Sequence, residues 1–464
     1  MARAKKEAAL TPEERLQAAL VPDWEWPYKL PENWCWTYVS TAYDVTSSKR
    51  VHKEDWLSEG IPFYRTRELV KLSSNGFVDN ELYISEEQYE TFKREYGVPA
   101  VGDLLISGVG TIGVPYVIES HEKFYFKDGN VIWFKNRGLF IPRFIFYLYK
   151  SMFMDKQIHD MASGTTVDTY TIINANMTKV PLAPLAEQQR IVDRIESLFA
   201  KLDEAKEKAQ AVVDSFETRK AAVLHKAFTG ELTAKWRAEH GVGMDSWSML
   251  TLNDVAAYKK GPFGSSITKA MFVPKGENTY KVYEQGNAIR KTLDYGHYYI
   301  SQAKYEELKG FAIAPGDILI SCAGTIGEAY KLPENCEAGV INQALMRVRI
   351  YPNIHEQFFL YYFGGVVKGD VIDKANGTAI QNIPPFKVMK AMGIHLPTIE
   401  EQAEIVSILD SLFAKEQQAK EAAEAVLEKI DLLKKSILAR AFRGDLGTNV
   451  PNDEPAVELL KKII

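Results

Sequence analysis

Cysteine is scarce in this chain of 464 residues, with only Cys35, Cys322 and Cys336 and no CxxC pair. That scarcity argues against both a disulfide framework and a zinc site, and it is typical of a reducing compartment. No apolar run approaches the roughly 20 residues needed to span a bilayer, and no apolar stretch of signal-peptide length follows Met1. The sequence therefore predicts a cytosolic protein with no membrane association.

Motifs that would indicate an enzyme are also missing. The sequence contains no P-loop, no G-x-S-x-G and no histidine cluster with metal-ligand spacing. The stretch Gly108-Val-Gly-Thr-Ile-Gly113 fits the dinucleotide-binding pattern, but the residues after it favour a strand, so we expect a tight turn there. Asn382-Ile-Pro-Pro-Phe386 resembles the N-P-P-[FY] signature of adenine methyltransferases, but Ile383 interrupts it. We therefore predict no catalytic residues, no metal and no cofactor bound by this chain.

An excess of positive charge is absent as well. The chain has 56 Lys and Arg against 61 Asp and Glu, a formal net charge of −5. Charge alone therefore does not indicate nucleic-acid binding, although a local basic stripe would be sufficient for it. Hydrophobic residues make up 46% of the chain, enough for ordinary globular cores, and the length predicts two to four domains.

What the sequence does contain is an internal repeat. Residues 187–232 align without a gap with residues 401–446, at a constant offset of 214, and 21 of the 46 positions are identical. The same offset aligns Gly102-Asp-Leu-Leu-Ile-Ser107 with Gly316-Asp-Ile-Leu-Ile-Ser321, and Ser163-Gly-Thr165 aligns with Asn376-Gly-Thr378 after a one-residue shift. The rest of the two globular regions has diverged. The chain is therefore a tandem duplication that kept its helices while its heads drifted.

Both helical repeats carry apolar residues at heptad spacing. The first seam runs through Ile191, Ile195, Leu198, Leu202, Ala205, Ala209, Val212 and Phe216. The second runs through Ile405, Leu409, Leu412, Glu416, Ala419, Ala423, Val426, Ile430, Leu433 and Ile437. Neither seam contains Gly or Pro, so we expect two helices of roughly 40 residues. Similar seams and lengths favour an antiparallel coiled coil over two helices that each pack on their own domain.

The heads are predicted to be α/β, with short apolar strands separated by turns. Three of their segments combine cations, which suit phosphate, with Arg, Asn or Gln side chains that can make bidentate contacts to bases. Ordinary polar loops are the alternative for each segment. The candidate DNA-contacting residues are Arg65, Arg67, Lys71, Lys259, Lys260, Ser265, Gln285, Asn287, Arg290 and Lys291.

The repeated motifs resemble the specificity (S) subunit of type I restriction–modification systems. The resemblance is carried by Pro184-Leu-Ala-Glu-Gln-Gln-Arg-Ile-Val192 with Ser197-Leu-Phe-Ala-Lys201, and by Pro397-Thr-Ile-Glu-Glu-Gln402 with Ser411-Leu-Phe-Ala-Lys415. In the heads it is carried by Leu30-Pro-Glu-Asn-Trp34, Gly261-Pro-Phe-Gly-Ser265 and residues 316–321. It covers residues 25 to 446.

The resemblance implies a non-catalytic subunit whose two heads each read one half of a split site in double-stranded DNA, with the helices acting as a ruler. It further implies two modification (M) subunits, which bind S-adenosylmethionine, and restriction (R) subunits, which use ATP and Mg. Two other functions remain open. One is an S subunit of a related system with a fused methylase–nuclease partner, and the other is a coiled-coil scaffold without a DNA role.

On this basis we predict six segments. Residues 1–24 form an N-terminal helical extension, with Thr11-Pro-Glu-Glu14 as a capped helix start. Target-recognition domains occupy residues 25–183 and 241–397, conserved helices occupy residues 184–240 and 398–446, and residues 447–464 form a C-terminal tail. The sequence does not indicate whether the extension and the tail bind a partner or fray.

Overall fold

The computed structural model describes residues 11–162, 168–373 and 382–464. The repeat segments at Ser163 and Asn376 lie outside these residues. The chain divides into two compact units, one formed by Met1–Gln210 with Ala425–Ile464 and the other by Ala211–Glu424. Each unit therefore combines one head with parts of both repeat helices.

The first unit contains nine of the strands and one end of each repeat helix. Its strands are β1 Cys35–Tyr38, β2 Tyr43–Thr46, β3 Ile61–Tyr64, β4 Tyr83–Ile84, β5 Leu104–Ser107, β6 Pro115–Val117, β7 Tyr125–Phe126, β8 Val131–Asn136 and β9 Lys179–Leu182. The helices that begin in it are α1 Pro12–Ala19, α2 Val39–Ala42, α3 Thr66–Asn75, α4 Glu86–Glu95, α5 Pro142–Tyr149, α6 Met152–Ala162, α7 Ile172–Met177 and α8 Leu185–Asp214.

The second unit repeats this set of elements. Its strands are β10 Ser248–Thr251, β11 Ala256–Lys260, β12 Thr279–Tyr283, β13 Tyr299–Ser301, β14 Ile318–Ser321, β15 Ala329–Lys331, β16 Gly339–Ile341, β17 Leu345–Ile350 and β18 Gly393–Leu396. The later helices are α9 Phe216–Phe228, α10 Ala234–His240, α11 Leu252–Val255, α12 Gln285–Arg290, α13 Gln302–Glu307, α14 Glu356–Tyr362, α15 Lys368–Asp373, α16 Phe386–Lys390, α17 Ile399–Ala441 and, back in the first unit, α18 Ala456–Lys461.

The two heads have the same sheet topology. The first has sheets β1-β9, β2-β8-β5-β6 and β4-β3-β7, and the second has β10-β18, β11-β17-β14-β15 and β13-β12-β16. In both heads the three-stranded sheet contains one parallel pair, β3 with β7 and β12 with β16. The predicted mixed helix-and-sheet heads are confirmed, and the duplication extends through the heads whose sequences had diverged.

Apolar side chains of strands and helices form the core of each head. In the first head Trp36, Phe134 and Phe144 are fully buried in one cluster. In the second, Val348 and Phe358 occupy a comparable cluster. Burying one such side chain contributes roughly 1.5–3 kcal/mol, and the strands β5 and β14 are buried at all four of their positions.

The repeat helices pack against each other within each unit. In the first unit the Asp203 carboxylate lies 2.5 Å from Lys434 Nζ. In the second, Arg219 Nε lies 2.8 Å from Glu416 Oε2, and Lys420 Nζ lies 4.9 Å from the centre of the Phe216 ring. Residue numbers rise along one helix as they fall along the other, so the predicted antiparallel pairing is confirmed.

The predicted seams are buried only in part. Ile191, Ile195, Ala209, Ala423 and Ile430 are buried as expected. Val426 and Leu433, however, are 41% and 48% exposed, so their assignment to the buried seam is wrong. A pair of helices covers less surface than a globular core, so positions at the margin of its seam stay open to solvent.

The first repeat helix is not continuous, contrary to expectation. It is interrupted at Ser215, between α8 and α9, whereas α17 runs unbroken for 43 residues. The Ser215 hydroxyl donates a hydrogen bond to the carbonyl of Ala211, and Arg219 Nη2 donates to the carbonyl of Val212 at 3.2 Å. Side chains that bond the helix carbonyls compete with the main-chain ladder and bend a helix without Gly or Pro.

The Glu-Gln dipeptide retained in both copies starts each repeat helix. Gln188 Oε1 accepts from the backbone N–H of Ile141 and Gln402 Oε1 from that of His355, both at 2.8 Å. Both glutamines also donate to a backbone carbonyl five residues earlier, at 2.9 Å. The dipeptide therefore joins the start of each helix to its own head, which explains its presence in both copies.

The preceding glutamates bind the segment that follows the other repeat helix. Glu401 is fully buried and accepts hydrogen bonds from Thr233 Oγ1 at 2.6 Å, Arg237 Nη1 at 2.6 Å and Trp247 Nε1 at 2.9 Å. Its counterpart Glu187, also fully buried, accepts from Thr448 Oγ1 at 2.7 Å. Thus the linker that leads into the second head and the C-terminal tail occupy corresponding places.

The described part of the N-terminal extension, residues 11–24, and the C-terminal tail both contain a helix. Helix α1 has the expected capping box at Thr11 and a proline in its first turn. The tail helix α18 buries Ala456, Leu459 and Leu460 in the same cluster as Trp34. Both segments are therefore part of the first unit, a placement that the sequence did not indicate.

Candidate nucleic-acid interface

Candidate residues of both heads lie on the same element of the repeated fold. In each head the central strand of the three-stranded sheet, β3 or β12, leads directly into a short helix, α3 or α12. Both helices begin with the same capping hydrogen bond, in which a backbone N–H donates to the side chain three residues later. The Arg65 N–H donates to Glu68 Oε2 at 3.0 Å, and the Glu284 N–H donates to Asn287 Oδ1 at 2.9 Å. Matching these capping bonds gives the residue-by-residue correspondence between α3 and α12.

That alignment places Lys71 and Arg290 at equivalent positions. Both are exposed, and among the described residues neither forms an ion pair with a carboxylate. Arg290 lies over the Tyr295 ring, with 4.9 Å from its guanidinium carbon to the ring centre, and the neighbouring Lys291 is also exposed. An exposed cation without a carboxylate partner is available to a phosphate or to a base edge.

Arg65 and Arg67 are placed differently, because both are ion-paired with glutamates. Arg65 Nη2 and Arg67 Nε lie 2.8 and 2.9 Å from Glu68 Oε1, and Arg67 Nη2 lies 2.6 Å from Glu81 Oε2. Burial by itself would raise the pKa of Glu68, but the hydrogen bonds from Arg65 and Arg67 lower it to about 2. The carboxylate therefore stays charged and holds both arginines, whose contact with DNA remains a prediction.

Gln285 and Asn287 lie at the start of α12 and point inward. Asn287 is fully buried, and its amide donates to the backbone carbonyls of Thr292 and Tyr295, both at 3.0 Å. Gln285 is half-buried. Since Asn287 stabilises the turn after α12 and has no exposed surface, we leave it out of the proposed interface.

Lys259, Lys260 and Ser265 belong to a second segment of the second head. The lysines end β11, an edge strand, and Ser265 lies in the loop that follows; all three are exposed. The backbone around Asn342 joins this loop to the start of α12, because the Asn342 N–H donates to the Tyr283 carbonyl at 3.0 Å and a Cβ on Gly261 would lie 1.8 Å from the Asn342 carbonyl oxygen. The structure thus brings together two of the three predicted segments.

One exposed side chain of this loop was not among the predicted contacts. Phe263 is 87% exposed, the highest value among the large hydrophobic residues described as exposed. Lysines 259 and 260, Gln343 and the Phe263 ring line one open cavity of about 490 Å³. The signal was present in the sequence as an aromatic residue between Pro262 and Gly264, directly after two lysines.

The glycine-rich stretch that fits the dinucleotide-binding pattern forms a turn, as expected. Gly108 to Gly113 connect β5 to β6 as a tight turn, in which the Gly113 N–H donates to the Ser107 carbonyl at 2.8 Å. Among the described residues, no group of three or more His, Cys, Asp or Glu could hold a metal ion. Within the same residues, no helix has the length and apolar character needed to cross a bilayer.

Comparison with known proteins identifies the family. The family model described as "Type I restriction modification DNA specificity domain" matches residues 43–213 and 244–429. The chain is 25% identical over 342 residues to the "Type I restriction enzyme StySPI specificity subunit" of Salmonella potsdam, covering 69% of this chain and 71% of that protein. It is 24% identical over 353 residues to the EcoKI specificity subunit of Escherichia coli K12, covering 70% and 72%.

A solved structure shares the fold. The HsdS subunit from Thermoanaerobacter tengcongensis matches 90% of this chain and 99% of its own, with a TM-score of 0.65 and 21% sequence identity. The family model matches the chain twice, once in each half of the duplication. The chain therefore belongs to the family of type I restriction–modification DNA specificity subunits.

Proposed function

We propose that this chain is the DNA sequence-specificity subunit of a type I restriction–modification complex and reads a split, bipartite site. Each head binds one half-site, and the antiparallel helices determine the length of the spacer whose sequence is not read. The observation that carries the proposal is that the two heads share one fold but differ on equivalent helices, α3 and α12. Helix α3 exposes Lys71, whereas α12 ends with the exposed Arg290, followed by the exposed Lys291. Two copies of one reader with different surfaces suit two different half-sites.

The same proposal assigns the chemistry to other subunits. Two M subunits would bind S-adenosylmethionine and methylate adenine, and R subunits would supply ATP- and Mg-dependent translocation and cleavage. This chain would position those subunits on DNA without a catalytic residue of its own. The absence of catalytic motifs in the sequence supports this division of labour.

Selection of bound sequences from a random duplex pool tests the proposal directly. The full chain with its M partners should enrich two short sequences separated by a spacer of constant length. Methylome sequencing of the source cell, with and without the gene, should give the same site. A partner-bound chain that enriches no sequence would favour the scaffold function, and a fused methylase–nuclease encoded next to the gene would indicate the related system.

Shortening both helices together should change the spacer. Residues 203–209 face residues 428–434 in the antiparallel pair, and deleting both segments removes the Asp203–Lys434 pair as a unit. Seven residues correspond to about 10 Å of helix, or about three base pairs at roughly 3.4 Å each. We expect the preferred spacer to change by about three base pairs while both half-sites stay the same. An unchanged spacer in a folded variant would contradict the ruler.

Substitutions of the equivalent cations should separate base reading from phosphate binding. Arg290→Ala should cost roughly 1–3 kcal/mol on the specific site and relax the preference at one position of a half-site. Lys71→Ala should weaken binding to all sequences similarly and reduce the salt dependence by about one phosphate contact. Lys309→Ala, which removes an exposed cation already paired with Glu306 at 2.9 Å, is the control. Fluorescence anisotropy at several salt concentrations distinguishes these outcomes.

A further inference from the structure

The loop that holds Phe263 is fixed at both of its ends. The Gly261 N–H donates to the Leu345 carbonyl at 2.9 Å, and a Cβ at this position would clash with the Asn342 carbonyl oxygen. At the other end, Ile267 is buried in a cluster with Val282. Between them the Ser266 N–H donates to the Phe263 carbonyl at 2.8 Å. The backbone is therefore held in place while the phenyl ring projects into solvent.

Exposing a phenyl ring to water is unfavourable, and the fold of the head does not depend on this ring. Phenylalanine is a large apolar residue that contributes most when it is buried, and this one extends from a constrained loop. The equivalent segment of the first head, between β2 and β3, contains Lys49, Arg50 and one large aromatic residue, Trp56, whose ring is half-buried against the core cluster that holds Phe63. The two equivalent segments therefore differ in that the aromatic ring packs on the core in the first head and projects into solvent in the second.

The groups around the ring are those that bind DNA. Lys259 and Lys260 are exposed beside it and match phosphate. Gln343 is exposed on the same surface, with its Cδ and Nε2 atoms 4.0 Å from where a Cβ of Gly264 would be. Among the described residues, none that lines this cavity is acidic. A surface with this charge is complementary to a polyanion.

The two uncharged side chains match one kind of base pair. A glutamine can make a bidentate contact to adenine N6 and N7 in the major groove, and an apolar side chain packs on the 5-methyl group of thymine. We propose that Phe263 and Gln343 read A·T base pairs in the half-site of the second head, with Phe263 against a thymine methyl and Lys259 and Lys260 on the flanking phosphates. The proposal rests on the proposed function and names the residues and base type for one head.

Replacing thymine by uracil tests the apolar contact, because it removes only the methyl group. The wild-type full chain with its M partners first defines the bipartite site from a random duplex pool. Uracil is then placed at each thymine of the second head's half-site. We expect one such substitution to weaken binding about four-fold, the effect of losing one buried methyl group while the base pair is retained. In Phe263→Ala the specific site should weaken by a similar factor, and the uracil substitution should then have no further effect.

The controls separate this proposal from the function on which it rests. Met249→Ala removes another exposed apolar side chain of the second unit, 68% exposed, and should leave both half-sites unchanged. In Gln343→Ala the preference for an A·T pair should be relaxed at the same or the adjacent position, with the other half-site and the spacer retained. A wild-type complex that enriches no site would overturn the proposed function. A wild-type complex that enriches a site which Phe263→Ala reads equally well, with equal sensitivity to uracil, would overturn only the role of Phe263.

Discussion

Deletion of residues 447–464 is expected to remove most of the stability of the first unit. The tail buries Leu459 and Leu460 in the main core cluster, and Thr448 donates to the buried Glu187 carboxylate. Losing the burial of two leucines costs roughly 1.5–3 kcal/mol each. Losing the Thr448 hydrogen bond costs roughly 1.5–3 kcal/mol more, because it is made to a charged carboxylate, which then keeps its ion pair with Arg190 at 2.7 Å. The sum, about 4.5–9 kcal/mol, is comparable to the total stability of an ordinary domain. The tail is thus a structural element of the first unit.

Guanidinium denaturation and hydrogen exchange would measure this loss. Exchange should rise at the start of α8 and around Trp34, because the tail covers both, and should stay unchanged in the second unit. Leu460→Ala, at a fully buried position, should reproduce about 2–5 kcal/mol of the effect. The neighbouring exposed Lys461 provides the matched control, since its replacement by Ala should change stability by less than about 0.5 kcal/mol. A truncated chain that unfolds like the full chain would contradict this assignment.

The helical frame could be predicted from sequence because its signals are local. Heptad spacing, the Glu-Gln dipeptide and the gap-free repeat all depend on residues a few positions apart, and the structure confirms the antiparallel pair that they predicted. The interruption at Ser215 was missed, because it arises from side-chain hydrogen bonds to helix carbonyls rather than from Gly or Pro. The exposure of Leu433 was missed because the pattern does not state how much of a seam the partner helix covers.

The candidate interface was less predictable because it depends on contacts between distant segments. The sequence presented Arg65 and Arg67 as free cations, whereas Glu68 and Glu81 already bind them. It likewise proposed Asn287 as a DNA contact, whereas the Asn287 amide donates to two backbone carbonyls of the following turn. The equivalence of Lys71 and Arg290 follows from sheet topology, since the two heads share almost no sequence there.

Glu401→Gln should destabilise the second unit by about 3–5 kcal/mol, because it leaves the buried Arg237 guanidinium without a counter-charge. Glu401 is fully buried and the Arg237 side chain is 8% exposed, so water cannot replace the lost charge. Exposed Glu400, one residue earlier in α17, is the matched control, and Glu400→Gln should change stability by less than about 0.5 kcal/mol. The change should appear as a lower guanidinium midpoint and as faster exchange in α10 and at the start of α17.

A double variant tests whether charge is the cause. In Glu401→Gln the amide oxygen can accept from Trp247 Nε1 and the amide NH2 can donate to the Thr233 hydroxyl, so combining it with Arg237→Met removes both charges and keeps both neighbours hydrogen-bonded. We expect the double variant to be more stable than Glu401→Gln alone, since replacing a whole buried ion pair is tolerated better than removing one partner. Additive losses would instead show that the arginine stabilises the linker through its 2.6 Å hydrogen bond to the Gly230 carbonyl. In either case the start of α17 is held by the linker that leads into the second head.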